Sequence, residues 1–207
     1  MKTIVAAVAL PAVLLACAGC HRAEKEKEIT VALVTKAMDS EFWLAVAEGA
    51  KAAAAARPGV HLSIVAPDRE INIDQQVSIL EDQTRRGVSA IVVAPAGSAQ
   101  VMSALDQAAA RSIPVVIIDS DAPFDRKVSY VGTDNRKGGS LAAKRLIEKM
   151  GGQGEVALIT GVPGNESQDA RAQGCIEALA AAPGIKVVAQ QPANSERSLG
   201  LTVMETS

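Results

Sequence analysis

The sequence has few aromatic, cysteine and histidine residues. Its 207 residues include one Trp, one Tyr, two Phe, three Cys and two His. Only Cys175 lies outside the N-terminal apolar segment, so no disulfide can form within the folded part of the chain, and we interpret Cys175 as a buried small hydrophobe. The two histidines, His21 and His61, lie far apart, so we expect neither a metal site nor a Cys–His catalytic pair.

Long basic runs and glycine-rich phosphate loops are also absent from the sequence. Lys and Arg number 21 against 23 Asp and Glu, which gives a formal net charge of −2. A nucleic-acid-binding protein would carry a basic patch, so nucleic acid is not an expected partner. Neither G-x-G-x-x-G nor G-x-x-x-x-G-K-[ST] occurs, and Lys36–Glu41, which follows the first predicted strand, contains no Gly. A nucleotide-dependent α/β enzyme is therefore the disfavoured alternative, and we expect no cofactor and no catalysis.

The N-terminal residues 1–20, MKTIVAAVALPAVLLACAGC, have the pattern of a signal peptide. One Lys precedes an apolar run that is shorter than the roughly 20 residues a membrane-spanning helix needs. The small residues before the cysteines resemble the lipobox of bacterial lipoproteins, which implies that Cys20, or alternatively Cys17, carries a lipid anchor. An ordinary cleaved signal is the other possibility. Residues 21–28, HRAEKEKE, are polar and charged, and we interpret them as a flexible tether.

From Ile29 onward, short apolar runs alternate with longer segments of helical periodicity. Continuous apolar strands that alternate with helices predict a parallel sheet covered on both faces, which is the doubly wound α/β class. Ser98 is predicted to cap a helix that runs to Arg111. The alternation restarts after Gly151–Gly154, which predicts a second lobe of similar build. We therefore predict a first lobe over 29–131 and a partial second lobe over 132–207, because a helical pattern still continues at the last residue.

The candidate ligand site lies where the predicted strands end. In open parallel sheets, ligands bind beyond the carboxyl ends of the strands. Lys36 follows the first strand, and Asp119 and Ser120 follow the fourth. Phe42 and Trp43, two of the four aromatic residues, open the first helix. An acid, an ammonium group and two aromatic rings suit a neutral polyhydroxylated ligand, because carboxylates accept hydroxyl hydrogen bonds and rings cover apolar C–H faces.

Each candidate also has a purely structural interpretation. Trp43 recurs with apolar residues at helical spacing and fits a core position, but Phe42 lies about 100° further round the helix, so both cannot face one core stripe. Asp39, Ser40 and Arg171 are further candidate ligand-binding residues. Asp39 or Ser40 also fits the N-cap of this helix, and Asp119 fits a turn. Arg171, in the second lobe, also fits a solvated helix surface.

Six segments in the same order resemble periplasmic sugar-binding proteins of the ribose-binding type, the receptors of ABC importers. The resemblance implies two doubly wound lobes of the type I periplasmic binding protein fold, of which the second is incomplete in a C-terminally truncated chain. The segments are TVALVTKAMDSEFW, TRRGVSAIVVAP, IPVVIIDSD, VSYVGTDNRKGGSLAA, GEVALITGVPGNESQDARAQGC and QQPANSERSLGLTVM.

The resemblance also implies roles for the candidate residues. Phe42 and Trp43 would pack on the sugar, and Asp119 would bind its hydroxyls. Ribose binders commonly have Arg after this carboxylate, so Ser120 argues against ribose itself, while related receptors for other ligands carry Lys at the position of Lys36. Arg171 falls in the family's Arg-x-x-Gly pattern.

The implied setting is a bacterial envelope. The resemblance predicts an exported, lipid-anchored and monomeric protein of the periplasm or cell surface. Its partners would be a small sugar and a permease in the cytoplasmic membrane. A receptor domain that reports ligand occupancy to a signalling partner stays open as an alternative. The effector domain of a sugar-responsive repressor is disfavoured by the secretion signal.

Overall fold

A computed structural model describes residues 28–206 of the chain. The predicted signal peptide, Cys17 and Cys20, and all but the last residue of the predicted tether lie outside the described residues. Among the helices of residues 28–206, none is both long enough and apolar enough to cross a membrane.

In chain order the elements are β1 (Ile29–Val34), α1 (Glu41–Ala55), β2 (Val60–Val65), α2 (Ile73–Arg86), β3 (Ala90–Val93), α3 (Met102–Ala110), β4 (Val115–Asp119), β5 (Ser129–Gly132), α4 (Asn135–Lys149), β6 (Gly154–Thr160), α5 (Glu166–Ala180), β7 (Ile185–Pro192) and α6 (Arg197–Thr206).

The first lobe is a five-stranded sheet in the order β2-β1-β3-β4-β5, and every neighbouring pair of strands is parallel. Successive side chains of a strand point to opposite faces, and the packing follows this alternation. Ile91 and Val93 of β3 belong to the large core beneath α2 and α3, whereas Ala94 packs with Trp43 of α1. Both faces of the sheet are therefore covered by helices, which confirms the predicted doubly wound α/β class.

The second lobe contains a parallel pair of strands, β6 and β7, and two helices in unusually close contact. The close approach depends on two glycines. A Cβ added to Gly139 of α4 would lie 1.9 Å from the carbonyl oxygen of Arg171, and one added to Gly174 of α5 would lie 1.9 Å from the carbonyl oxygen of Arg136. The two helix backbones thus touch where neither residue has a side chain.

Two predicted boundaries differ from the structure. Helix α3 begins at Met102 and not at Ser98, because the Ser98 hydroxyl donates to the carbonyl oxygen of Asp121 at 2.6 Å instead of capping a helix. This bond ties the loop after β3 to the loop after β4. Strand β5 continues to Gly132, one residue past the predicted end of the first lobe, and Asp134 then caps α4 by accepting from the Lys137 amide at 3.0 Å.

The two adjacent glycines of α4 should respond oppositely to the same substitution. Gly139→Ala should destabilise the protein by about 1–3 kcal/mol, because its Cβ would push α4 away from α5. Gly138→Ala has nothing within 4 Å of its new Cβ and should stabilise the helix by about 0.5–1 kcal/mol. Urea unfolding followed by circular dichroism measures both effects. Equal effects of the two variants would contradict the proposed backbone contact.

Candidate functional site

The two lobes meet at a largely buried group of polar side chains, which we call the junction cluster: Lys36, Asp119, Ser120, Asn165 and Ser167. The Lys36 side chain is almost fully buried, with a residue exposure of 1%. Its Nζ lies 2.7 Å from Asp119 Oδ2 and also donates to Ser120 Oγ. Further Nζ contacts reach the second lobe, at 3.1 Å to Asn165 Oδ1 and 3.4 Å to Ser167 Oγ. One ammonium group therefore links both lobes.

The sheet topology brings the first-lobe members of this cluster together. Lys36 follows β1 and Asp119 ends β4, and both strands are neighbours of β3, so their carboxyl ends lie at the same edge of the sheet. Asp119 has a φ of 63°, in the left-handed region, where Asp is more readily accommodated than most residues. The Ser120 amide donates to the Ile118 carbonyl at 2.8 Å, so the chain turns sharply and directs the Ser120 side chain into the junction.

The second-lobe members come from the start of α5. Asn165 is the N-cap of this helix, and its side-chain oxygen accepts from the Gln168 amide at 3.4 Å. Ser167 lies in the first turn and is buried. Neither residue is among the candidates predicted from the sequence, although both lie beyond the carboxyl end of β6, where ligands of open parallel sheets bind. Their approach to Lys36 depends on how the lobes pack, which sequence spacing does not encode.

The junction cluster contains one ammonium group, that of Lys36, and one carboxylate, that of Asp119. A buried charge needs a compensating partner, and Asp119 supplies it for Lys36. Burial, followed by the negative charges of Glu166, Asp121 and Asp119, raises the pKa of Tyr130 above its usual value. The Tyr130 hydroxyl therefore stays protonated and donates to the Asp119 carbonyl at 2.9 Å. Within residues 28–206, no group of three or more His, Cys, Asp or Glu side chains is placed to hold a metal ion.

The Phe-Trp pair divides between the core and the solvent. Trp43 is 2% exposed and packs with Ala37 and Ala94, while Phe42 is 56% exposed. The two rings meet edge to face, with centroids 4.9 Å apart and an interplanar angle of 75°. The indole Nε1 donates to Glu70 Oε1 at 2.9 Å. Trp43 thus takes the core position that its helical spacing allowed, and Phe42 faces outward; a contact of Trp43 with ligand stays a prediction.

An open groove of about 1180 Å³ runs between the lobes beside Phe42, and its walls come from both lobes. Asp39, Ser40 and Phe42 line it from the first lobe. Ser40 also caps α1 by accepting from the Trp43 amide at 3.4 Å. The second-lobe wall is formed by Ile159, Thr160, Gly161, Gln168, Ala193, Ser195, Glu196, Arg197, Ser198 and Gly200.

Two polar bridges join the lobes near this groove. Arg69 of the first lobe pairs with Glu196 of the second at 2.8 Å. Glu70 accepts from Gln168 Nε2 at 3.1 Å through one oxygen and from the Trp43 indole through the other. Trp43 is therefore connected to the second lobe through a single carboxylate.

Arg171 lies apart from the junction cluster. Its Nη2 donates to Asn135 Oδ1 at 2.6 Å, and the residue lines a pocket of about 250 Å³ formed by α4, α5 and β6. Cys175 is half-buried in the same pocket, and burial raises the pKa of its thiol, which favours the protonated form. A role for Arg171 in ligand binding stays a prediction.

Comparison with known proteins places this arrangement in a family. Residues 31–206 match the family model described as a periplasmic binding protein domain. The ribose import binding protein RbsB of Bacillus subtilis is 33% identical over 180 residues, which cover 87% of this chain and 57% of the relative. The D-allose-binding periplasmic protein of Escherichia coli is 33% identical over 180 residues, with coverage of 83% and 58%.

Solved structures agree in fold. An ABC transporter solute-binding protein from Burkholderia graminis, in complex with D-arabinose, matches with a TM-score of 0.81 and 35% identity, over 87% of this chain and 61% of that one. The chain spans 57% and 58% of the length of the two curated relatives described above. Because the family model covers nearly the whole described region, the chain belongs to the periplasmic binding protein domain family.

Proposed function

We propose that this chain is the substrate-binding component of an ABC sugar importer and holds a monosaccharide or related polyol between its two lobes. The observation that carries the proposal is the junction cluster, in which hydrogen-bonding side chains of both lobes converge beyond the carboxyl ends of parallel strands. Relatives of this chain are named for ribose and D-allose, and a structural neighbour contains D-arabinose. All three ligands are neutral and rich in hydroxyl groups.

The side chains suit such a ligand. Asp119 retains some exposure and accepts hydrogen bonds from hydroxyl groups. The exposed Phe42 ring covers an apolar C–H face, and Asp39 and Ser40 add polar groups along the same wall. Closure of the lobes needs only a hinge equilibrium that the ligand shifts by contacting both lobes. The proposed activity is therefore binding without covalent chemistry.

The positively charged side chain of the proposed site, Lys36, follows a different strand from the Arg of ribose binders. Such proteins, in the resemblance described above, commonly have Arg where this chain has Ser120. Here Ser120 is fully buried, and the Lys36 ammonium group lies within hydrogen-bond distance of its hydroxyl. The positive charge thus comes from the end of β1 instead of the end of β4. We infer a preferred sugar other than ribose, because a compact ammonium group and a planar guanidinium present their donors differently.

The proposed setting is the periplasm or cell surface, with a permease as partner and a lipid on Cys20 or Cys17. A monomer is sufficient, because the site is formed within one chain. A receptor domain for a signalling partner would bind the same ligand with the same fold. Loss of sugar uptake on deletion supports the importer, whereas retained uptake with a lost transcriptional response supports the sensor.

Sugar binding should be visible as thermal stabilisation. The purified chain is heated with D-ribose, D-allose, D-arabinose or D-fucose at millimolar concentration, and one of them should raise Tm by roughly 5–10 °C when its concentration is about 100 times Kd. Fluorescence of Trp43, the single Trp, provides a second measurement, because Glu70 connects its indole to the second lobe. A panel of neutral sugars without any response in either measurement would contradict the proposed function.

The exposed aromatic ring should contribute to affinity more than to stability. Phe42→Ala should weaken binding of the responding sugar roughly three- to ten-fold, while Tm of the sugar-free protein changes little because Phe42 is 56% exposed. Leu44→Ala is the matched control, since Leu44 is 50% exposed on the same helix and does not line the groove. Equal Kd values for the two variants would contradict the assignment of Phe42 to the sugar-binding site.

Metabolic labelling tests the lipid anchor. Labelled palmitate fed to the expressing bacterium should enter the protein, and Cys20→Ala should abolish incorporation while Cys17→Ala leaves it unchanged. The opposite pattern would assign the lipid to Cys17. No incorporation into the parent protein would identify an ordinary cleaved signal.

A further inference from the structure

The Asn165 side chain contains a buried donor without a partner. Asn165 is fully buried, and among the described residues its Nδ2 is the one buried side-chain nitrogen or oxygen atom that makes no hydrogen bond. Buried polar atoms are nearly always hydrogen-bonded, and an unsatisfied donor costs about 1–3 kcal/mol. The rest of the junction cluster is well connected, so this atom is a local exception that needs an explanation.

The orientation of the Asn165 amide is fixed by its neighbours. Oδ1 lies 3.1 Å from Lys36 Nζ and 3.4 Å from the Gln168 amide nitrogen, and both of these groups can only donate. Ser120 Oγ and Ser167 Oγ also lie within 3.0 Å of Oδ1. Exchanging the amide nitrogen and oxygen would set N–H groups against the Lys36 ammonium and the backbone N–H. The unpartnered atom is therefore the nitrogen, and it is attached to the same amide carbon as the oxygen that meets Lys36.

We propose that Asn165 is a ligand-binding residue of the second lobe and that its Nδ2 donates to an oxygen of the bound ligand. This inference rests on the proposed function and adds the group by which α5 recognises the sugar. The matching ligand atom is a hydroxyl, ring or carbonyl oxygen of a neutral molecule. A carboxylate or an amine is disfavoured, because Lys36 and Asp119 already neutralise each other and Asn165, Ser120 and Ser167 add no charge.

The same donor makes closure dependent on the ligand. With the lobes in contact and no acceptor present, Nδ2 is shielded from water, which disfavours this arrangement. Separation of the lobes would return the amide to water, and a ligand bound between the lobes would instead satisfy it with an oxygen atom. A ligand shifts a conformational equilibrium only through its differential interaction with the two states, and Asn165 supplies such a difference.

Two substitutions remove Nδ2 and keep the helix cap. Asn165→Asp and Asn165→Ser both retain a side-chain oxygen that accepts from the Gln168 amide, and both residue types are favoured at N-caps. Each variant should bind the sugar that stabilises the parent chain at least ten-fold more weakly, measured by titration of Trp43 fluorescence. The Tm comparison applies to Asn165→Ser, whose sugar-free Tm should be unchanged or higher because an unsatisfied buried donor has been removed; Asn165→Asp also adds a carboxylate at a fully buried position, so only its Kd is compared. A merely structural asparagine would instead show a lower Tm and an unchanged Kd.

Asn72 provides a matched control. It is the N-cap of α2, makes no side-chain cap bond and lies outside the junction cluster. Asn72→Asp and Asn72→Ser should leave the Kd for the sugar unchanged. If either folded Asn165 variant keeps the parent Kd, the assignment of Nδ2 is overturned while the proposed function stands. If no neutral sugar changes the Tm or fluorescence of the parent chain, the proposed function fails and the assignment fails with it.

Discussion

The burial of one ammonium group organises the junction between the lobes. A buried charge is costly unless acceptors surround it, and Lys36 Nζ has four oxygen atoms within 3.4 Å. Two of these come from the end of β4 and two from the start of α5. The buried ammonium group is thus stabilised by Asp119 and Ser120 at one edge of the first sheet. It is stabilised further by contact with Asn165 and Ser167 of the second lobe. The sheet topology, the turn at Asp119 and the position of α5 each bring one or more of these oxygen atoms to Lys36 Nζ.

Hydrophobic periodicity was sufficient to predict the sheet and to place the first-lobe half of the junction cluster at one edge of it. Lys36 and Asp119 are separated by 83 positions, yet both directly follow apolar strands, and parallel strands share one carboxyl edge. The second-lobe half could not be predicted in this way. Asn165 approaches Lys36 through the relative placement of two lobes, which no local pattern specifies. Ser98 illustrates the same limit. Its position predicted a helix N-cap, but its hydroxyl instead donates a hydrogen bond to the Asp121 carbonyl, in a loop distant in sequence.

For the Phe-Trp pair, helix geometry predicts that the two rings point in different directions, and tertiary packing determines which ring is buried. Adjacent helical residues diverge by about 100°, so the sequence required that the two rings face different surroundings. Which ring is buried depends on small partners: Ala37 and Ala94 leave space for the indole, and Glu70 accepts its N–H. Because Glu70 also binds Gln168 of α5, burial of Trp43 does more than fill the core. Through Glu70, it connects α1 of the first lobe to α5 of the second lobe by hydrogen bonds.

Two opposing contributions at the start of α5 act on the contact between the lobes. Contacts from Lys36 to Asn165 and Ser167 favour lobe contact even without ligand, whereas the unsatisfied Asn165 nitrogen disfavours it by about 1–3 kcal/mol. Under the proposed function, a ligand therefore has to meet two conditions at once. It must offer an acceptor to Asn165, and it must offer hydroxyl hydrogens to Asp119 without leaving Lys36 unpaired. A molecule with only acceptors or only donors meets one condition and fails the other, whereas a sugar carries both on neighbouring carbons. Under the proposed function, a preference for hydroxyl-rich molecules would follow from how the buried charge and the buried amide are paired.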